Sequence, residues 1–241
     1  MTMQKIRLDL LLSNLGYGSR KDVAHLIKHG LVTSDVGTHK SASEIVTPAL
    51  INIHVDGEPL DPLPPLTLLV HKPVGYTCSH DEVGNLIFDL LPDRFRARSP
   101  QLSPAGRLDK DSSGAVLLTD DGDLLHRIIS PKHHVTKKYN VTLADPLQGN
   151  ETALFMSGHF TLKDDTKPLK PALWQPIDAT SGAMFLTEGR YHQIRRMFGA
   201  VGNRVLTLHR ERIGQLDLGN IAEGAYQILS SHDIEKIFAK G

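Results

Sequence analysis

The sequence predicts an α+β protein of two domains, in which a small two-helix module precedes a larger domain built on a mixed, mostly antiparallel sheet. Three observations predict it. Four of the fourteen prolines crowd into Pro59-Leu60-Asp61-Pro62-Leu63-Pro64-Pro65, and such a segment is stiff and extended enough to separate adjacent domains. Ahead of it lie two segments of helical period followed by short strand-like runs. Behind it, strand-like runs outnumber helical ones and do not alternate with them as βαβ units. The expected boundaries are residues 1–58 for the first domain, 59–66 for the linker and 67–241 for the second.

In chain order, the first helix is expected over Ile6 to Leu15 and stops at Gly16-Tyr17-Gly18, where glycines take backbone angles that other residues resist. Ser19 opens the second helix, spaced from Asp22 as a capping box, with Val23, Leu26 and Ile27 as the apolar stripe and Gly30 as the stop. Leu31 to Thr33 and Ile51 to Val55 read as strands, the later one ending at the turn Asp56-Gly57. Past the prolines, strands are expected at Leu66–Val70, Ala115–Thr119, Tyr139–Leu143, Met184–Thr187 and Val205–Leu208. Helices are expected at Asp123–Ile129, Tyr191–Val201 and Ser231–Ala239, the last behind a serine cap. No internal repeat or low-complexity segment interrupts this order.

Bulk properties exclude several classes. At 241 residues, 40% hydrophobic and 22% charged, the chain has enough apolar content for real cores and is far from disordered composition. No run approaches the roughly 18 apolar residues of a membrane span. The opening Met1-Thr2-Met3-Gln4-Lys5-Ile6-Arg7 lacks a signal-peptide core, and the single Cys78 excludes an internal disulfide; together they lead us to expect a cytoplasmic protein. Net charge is formally zero, so any attraction for polyanions must come from local clusters. Arg190, Arg195, Arg196, Arg204, Arg210 and Arg212 form one, Arg94, Arg96, Arg98 and Arg107 a second, and Lys132, Lys137 and Lys138 a third. If they converge they make a basic cleft; otherwise they are solvated faces.

Three segments look unlike packing material. Gly106-Arg107-Leu108-Asp109-Lys110-Asp111-Ser112-Ser113-Gly114 sets a carboxylate, Asp109, among cations in a turn leading to a buried-looking strand. His133 to Tyr139 delivers an aromatic hydroxyl at the start of a strand, behind Lys137 and Lys138. Glu188-Gly189-Arg190-Tyr191-His192-Gln193-Ile194-Arg195-Arg196 opens a cationic helix at a glycine turn, and a helix N-terminus already favours phosphate or carboxylate. Each residue also has an ordinary explanation: Asp109 as a turn cap, Tyr139 as a half-buried strand aromatic, Arg195 as a solvated helix arginine. Their joint occurrence in this order argues for chemistry.

The order Lys72-Pro73-x-Gly75, Gly106-Arg107-Leu108-Asp109, Lys138-Tyr139 and Gly189 to Arg195 resembles the RNA pseudouridine synthases. It is most similar to the ribosomal branch with an N-terminal S4-type RNA-binding domain. Thr166-Lys167-Pro168 and Leu208 to Gly214 point further to the RsuA type, which acts on small-subunit (16S) rRNA. In the first domain, the resemblance rests on Arg7-Leu8-Asp9, Ser19-Arg20-Lys21, Gly30 and Val55-Asp56-Gly57. There, Thr33-Ser34-Asp35-Val36-Gly37 replaces the usual valine-asparagine-glycine turn.

The resemblance implies isomerisation of a uridine to pseudouridine, without cofactor or metal, by a pseudouridine-synthase catalytic domain behind an S4-like α/β domain. It implies that Asp109 is the catalytic carboxylate, attacking C1′ or taking the 2′ proton, the two alternatives remaining open. It implies that Tyr139 stacks on the freed uracil and that Arg195 pairs with Asp109, an opposite charge that favours the ionised carboxylate. Arg107 would hold the space of the extruded nucleotide. RNA contacts are expected further from Lys138, Arg190, His192, Gln193 and Arg196, and in the first domain from Arg7, Arg20, Lys21 and Lys28. The expected partner is 16S rRNA, free or in a small-subunit assembly intermediate, met by a monomer. The same chemistry on 23S rRNA, or a non-catalytic rRNA-binding or assembly factor, is the alternative.

Other candidates carry less. His25 and His29 are spaced as helical zinc ligands without a third partner. Cys78 lacks the marks of a nucleophile, and Asp120-Asp121-Gly122-Asp123 misses the calcium-loop spacing.

Overall fold

The computed structural model describes residues 5–130 and 132–239. One unit gathers the chain as far as Leu66 together with Leu91–Ser103; the other gathers Thr67–Leu90 with the chain from Pro104 onward. The first unit contains β1 (Ile6–Arg7), α1 (Leu8–Asn14), α2 (Arg20–Lys28), β2 (Val32–Ser34), β3 (Gly37–Thr38), β4 (Ile45–Val46), β5 (His54–Val55), β6 (Glu58–Pro59) and α3 (Asp93–Arg96). Its first helix begins later than the periodicity suggests, because Ile6 and Arg7 pair with Val46 and Ile45 as a strand. The capping box is present: the Asp22 amide donates to Ser19 Oγ and the Ser19 amide donates to the Asp22 carboxylate.

The hairpin whose turn departs from the S4 pattern still closes, with Ser34 opposite Gly37 across Asp35-Val36. The β5–β6 hairpin turns on Asp56 at φ 53° and Gly57 at φ 81°, the paired positive angles that match strand twist in a two-residue loop. Leu8, Leu11, Leu12, Leu15, Val23, Ile27 and Val32 form the core of this unit. The proline-rich stretch is folded into it: Pro59 lies in β6, and the Asp61 amide donates to the Tyr17 hydroxyl. Arg94 then forks onto the Asp61 carboxylate at 2.7 and 3.2 Å, and the Ser99 amide donates to the Asn14 carbonyl. Residues 91–103 therefore belong to the first unit, outside the linear boundaries read from the sequence.

The second unit comprises β7 (Thr67–Lys72), a 3₁₀ turn (Ile87–Leu90), the chain's re-entry at β8 (Ser103–Pro104), β9 (Ser113–Thr119), α4 (Gly122–Ile129), β10 (Lys137–Leu143), α5 (Glu151–Met156), β11 (Leu173–Pro176), β12 (Ser181–Leu186), α6 (Gln193–Ala200), β13 (Val205–Ile213), β14 (Leu216–Asp217), β15 (Tyr226–Ile228) and α7 (Ser231–Phe238). The main sheet runs β11-β12-β10-β13-β9-β7-β15. Along this path only β13 and β9 run parallel, through His209–Ser113 and Arg210–Gly114. This is the mixed, mostly antiparallel α+β sheet that the sequence predicts.

Leu69, Leu117, Leu124, Ile128, Ile213 and Ile237 form one buried cluster of this unit, while Trp174, Phe155 and Phe198 pack edge to face. Gly114 is required where the parallel pair meets: it sits at φ 112°, and a Cβ there would fall on the Arg210 carbonyl. That close approach aims the preceding loop. Among the described residues, no helix is long and apolar enough to cross a membrane.

Candidate active site

The loop between β8 and β9 turns at Gly106, with φ 92°, and is fastened from within by the Ser112 amide donating to the Asp109 carbonyl. The Gly75 amide donates to the Lys110 carbonyl, and buried Leu108 anchors the segment. Asp109 is thereby held with its carboxylate 29% exposed and Oδ1 3.4 Å from His192 Nε2. It borders a cleft of about 930 Å³ with Gly75, Cys78, Glu82, Arg107, Tyr191 and His192. Behind it lies a recess of about 90 Å³ that Asp109 shares with Tyr139, Leu186, His192, Ile194 and Leu208. The structure thus brings Asp109, Tyr139 and His192 together.

Arg195 is placed differently from expectation. Its guanidinium forms an ion pair with the Asp111 carboxylate at 3.1 Å and donates to the Asp111 carbonyl, Ser112 Oγ and the Val205 carbonyl. The expected Asp109–Arg195 pair is absent. The arginine staples α6 and the start of β13 to the loop just past Asp109, because a fork of five N–H groups can serve several oxygens at once. It acts on Asp109 through the backbone rather than by contact.

A second arginine, not distinguished by the sequence, sits deeper. Arg210 is 2% exposed and donates through Nε to the Ala115 carbonyl at 2.6 Å and through Nη1 to the Arg107 carbonyl and the Tyr139 hydroxyl. Its Nη2 is buried without a partner among the described residues. Lys72 is fully buried, its ammonium donating to the Pro73 carbonyl. Burial pushes its pKa down, while Cys78, Asp111 and Asp109 draw it back up. The Lys72-Pro73 motif flagged this lysine. Arg210 appeared in the sequence as one member of the arginine cluster and of the Leu208–Gly214 segment, with nothing to mark it as the one that is buried.

Several expected RNA contacts are committed inside the protein. Arg190 and Arg196 both grip Asp165, at 2.7 and 2.6 Å, and hold its carboxyl below the usual range. Gln193 is 4% exposed; it donates to Glu188 and accepts from the Arg190 amide, so its amide locks a turn at the edge of the recess. Lys138 pairs with Glu211, Arg107 with Glu82 and Arg7 with Asp9. Arg20, Lys21 and Lys28 are exposed on α2. The cation clusters are also divided: Arg94, Arg96 and Arg98 fall in the first unit, and Arg107 in the second.

Among the described residues, no group of three or more His, Cys, Asp or Glu residues could hold a metal ion. His29 Nδ1 instead meets the His25 carbonyl at 2.8 Å, and Asp121 caps α4 through the Leu124 amide.

A profile described as RNA pseudouridylate synthase matches residues 67–200, a span that includes Lys72, Asp109, Tyr139, His192 and Arg195. The chain belongs to this family: it is an RNA pseudouridine synthase, an isomerase. It is 37% identical over 236 residues to the ribosomal small subunit pseudouridine synthase A of Vibrio vulnificus, covering 97% of this chain and 100% of that one. It is 39% identical over 239 residues to the protein of the same name from Yersinia pestis, covering 97% and 99%. It is 38% identical to the RNA pseudouridine synthase YtzG of Bacillus subtilis, over 95% and 97%. A crystal structure of a pseudouridylate synthase superposes with a TM-score of 0.68 at 36% identity, over 96% of this chain and 99% of that chain.

Proposed function

We propose that the chain isomerises a uridine of small-subunit (16S) ribosomal RNA to pseudouridine with Asp109 as the catalytic carboxylate. One observation carries the assignment: Asp109 is the acid that borders both the outer cleft and the inner recess, where its neighbour is the Tyr139 aromatic. A uridine extruded into that recess would present C1′ to Asp109 and its base to Tyr139. The N1–C1′ bond breaks, the uracil turns, C5 bonds to C1′, the C5 proton leaves to solvent and N1 takes up a proton, so that product and substrate are isomers. Asp109 either attacks C1′ or takes the 2′ proton, and Tyr139 holds the freed base by stacking.

Arg210 donates to the Tyr139 hydroxyl and so fixes the ring. Arg195 fixes the loop that carries Asp109. The names of the full-length relatives support the small-subunit substrate, taken as free RNA or as an assembly intermediate by a monomeric cytoplasmic enzyme. The first unit reads as an S4-like RNA-binding domain, with Arg20, Lys21 and Lys28 exposed at the start and along the length of α2, where the helix N-terminus adds attraction for phosphate.

Asp109→Asn is expected to abolish tritium release from RNA containing [5-³H]uridine while leaving RNA binding intact; release at the normal rate refutes the assignment. Pseudouridine mapping in cells lacking the protein tests the substrate. A site lost from 23S instead of 16S rRNA overturns the small-subunit reading.

A further inference from the structure

Tyr191 is the exposed aromatic of the second unit that no step above employs. The residue is 77% exposed, and its large ring lines the cleft open to water. Its ring stacks on His192 at 3.9 Å between centroids and 14° between planes. One face is therefore covered by the imidazole and the other is bare.

The backbone beneath this pair is fixed at a cost. His192 holds a left-handed conformation, φ 47° and ψ 34°, which a residue with a Cβ takes only when its surroundings impose it. Gln193 imposes it by donating to Glu188 and accepting from the Arg190 amide, while its own amide donates to the Arg190 carbonyl. The turn is thus rigid before any ligand arrives, so a stacked partner need not pay to order it.

Burial and lining separate the two tyrosines, Tyr139 being 7% exposed and Tyr191 77%. Tyr139 lines the inner recess and not the outer cleft, Tyr191 lines the outer cleft and not the recess, and Asp109 and His192 border both. Tyr191 and Tyr139 thus line two pockets that meet at Asp109 and His192.

We propose that the Tyr191–His192 pair is a stacking platform for the nucleobase adjacent to the target uridine, making Tyr191 a specificity-determining residue of the outer cleft. The inference rests on the reading of Asp109 and Tyr139 as the uridine site. A flat π-face suits any base, and its hydroxyl can favour one edge over another. Binding here fixes the register of the strand without touching the reacting atoms.

The test is steady-state tritium release from 16S rRNA, as transcript or precursor particle, by wild type, Tyr191→Ala and Tyr191→Phe. Tyr191→Ala is expected to raise KM about 5- to 150-fold, the range for losing one base–aromatic stack, with kcat within about threefold of wild type. Tyr191→Phe should restore KM, since the ring remains. Removing the base on one side of the target should raise KM for wild type and leave Tyr191→Ala unchanged, because both changes delete the same stack. Unchanged KM in Tyr191→Ala, or base removal that multiplies with it, overturns the platform. Failure of the wild-type enzyme to release tritium from 16S rRNA would instead count against the small-subunit reading itself.

Discussion

Burial lowers the Lys137 ammonium to about 8, with Arg210 and Lys170 adding repulsion and Glu188 opposing it. Its unfolded value lies near 10.4, so between about pH 8 and 10 the unfolded chain binds more protons than the folded one. Stability from this residue therefore rises with pH across that window, and below it the full penalty of a buried charge applies. The melting temperature of wild type relative to Lys137→Met should climb from pH 8 to pH 10, read by calorimetry; a flat difference would show that the ammonium is not buried at cost. Asp109, Tyr139 and His192 were legible as residues because their motifs stand in order. The Arg195 contact was not, since a motif fixes what a side chain is and not which of two nearby carboxylates, Asp109 or Asp111, it reaches.

Elements with a strong local signal were the legible ones. The capping box at Ser19, the Asp56-Gly57 hairpin and the apolar runs of β7 and β9 follow from local preference alone. The helix read as starting at Tyr191 begins at Gln193, and those two residues of loop are what put Tyr191 and His192 on the cleft. Strands β11 and β15 escaped notice because each is short and sits at an end of the sheet path, where pairing with β12 or β7 rather than propensity decides them. The tightest demand of an element on a residue is at Gly114, where β9 and β13 meet. Gly114→Ala should cost about 3 kcal/mol, combining a strained positive φ with a clash against the Arg210 backbone. Urea unfolding of the variant checks it, and a midpoint like that of wild type would mean the strands can separate without penalty.

Across the whole molecule, charge is balanced locally as well as in sum. Arg190 and Arg196 share Asp165, Arg94 holds Asp61, Lys138 holds Glu211 and Arg7 holds Asp9. Cations already neutralised by carboxylates release few counterions when RNA binds, so the slope of log K against log salt should be shallower than about −8. A steeper slope in filter-binding titrations would require those pairs to open for phosphate. The division into two units was legible from the prolines, but the return of residues 91–103 to the first unit was not. Nothing in that segment names its partners, and the Arg94–Asp61 pair joins residues more than thirty positions apart.

The sequence by itself determined the fold class and the reaction type, pointed to two units, and singled out Asp109 as the carboxylate we propose for the reaction. These depend on periodicity, turn chemistry and the order of motifs, all of which are written along the chain. Only the tertiary structure decided that Arg195 holds the loop and not Asp109, that Arg210 donates to Tyr139, and that Tyr139 and Tyr191 line two different pockets beside one aspartate. Hydrogen bonds and burial are contacts through space, and strand pairing brings together residues whose separation in sequence carries no trace of the distance between them.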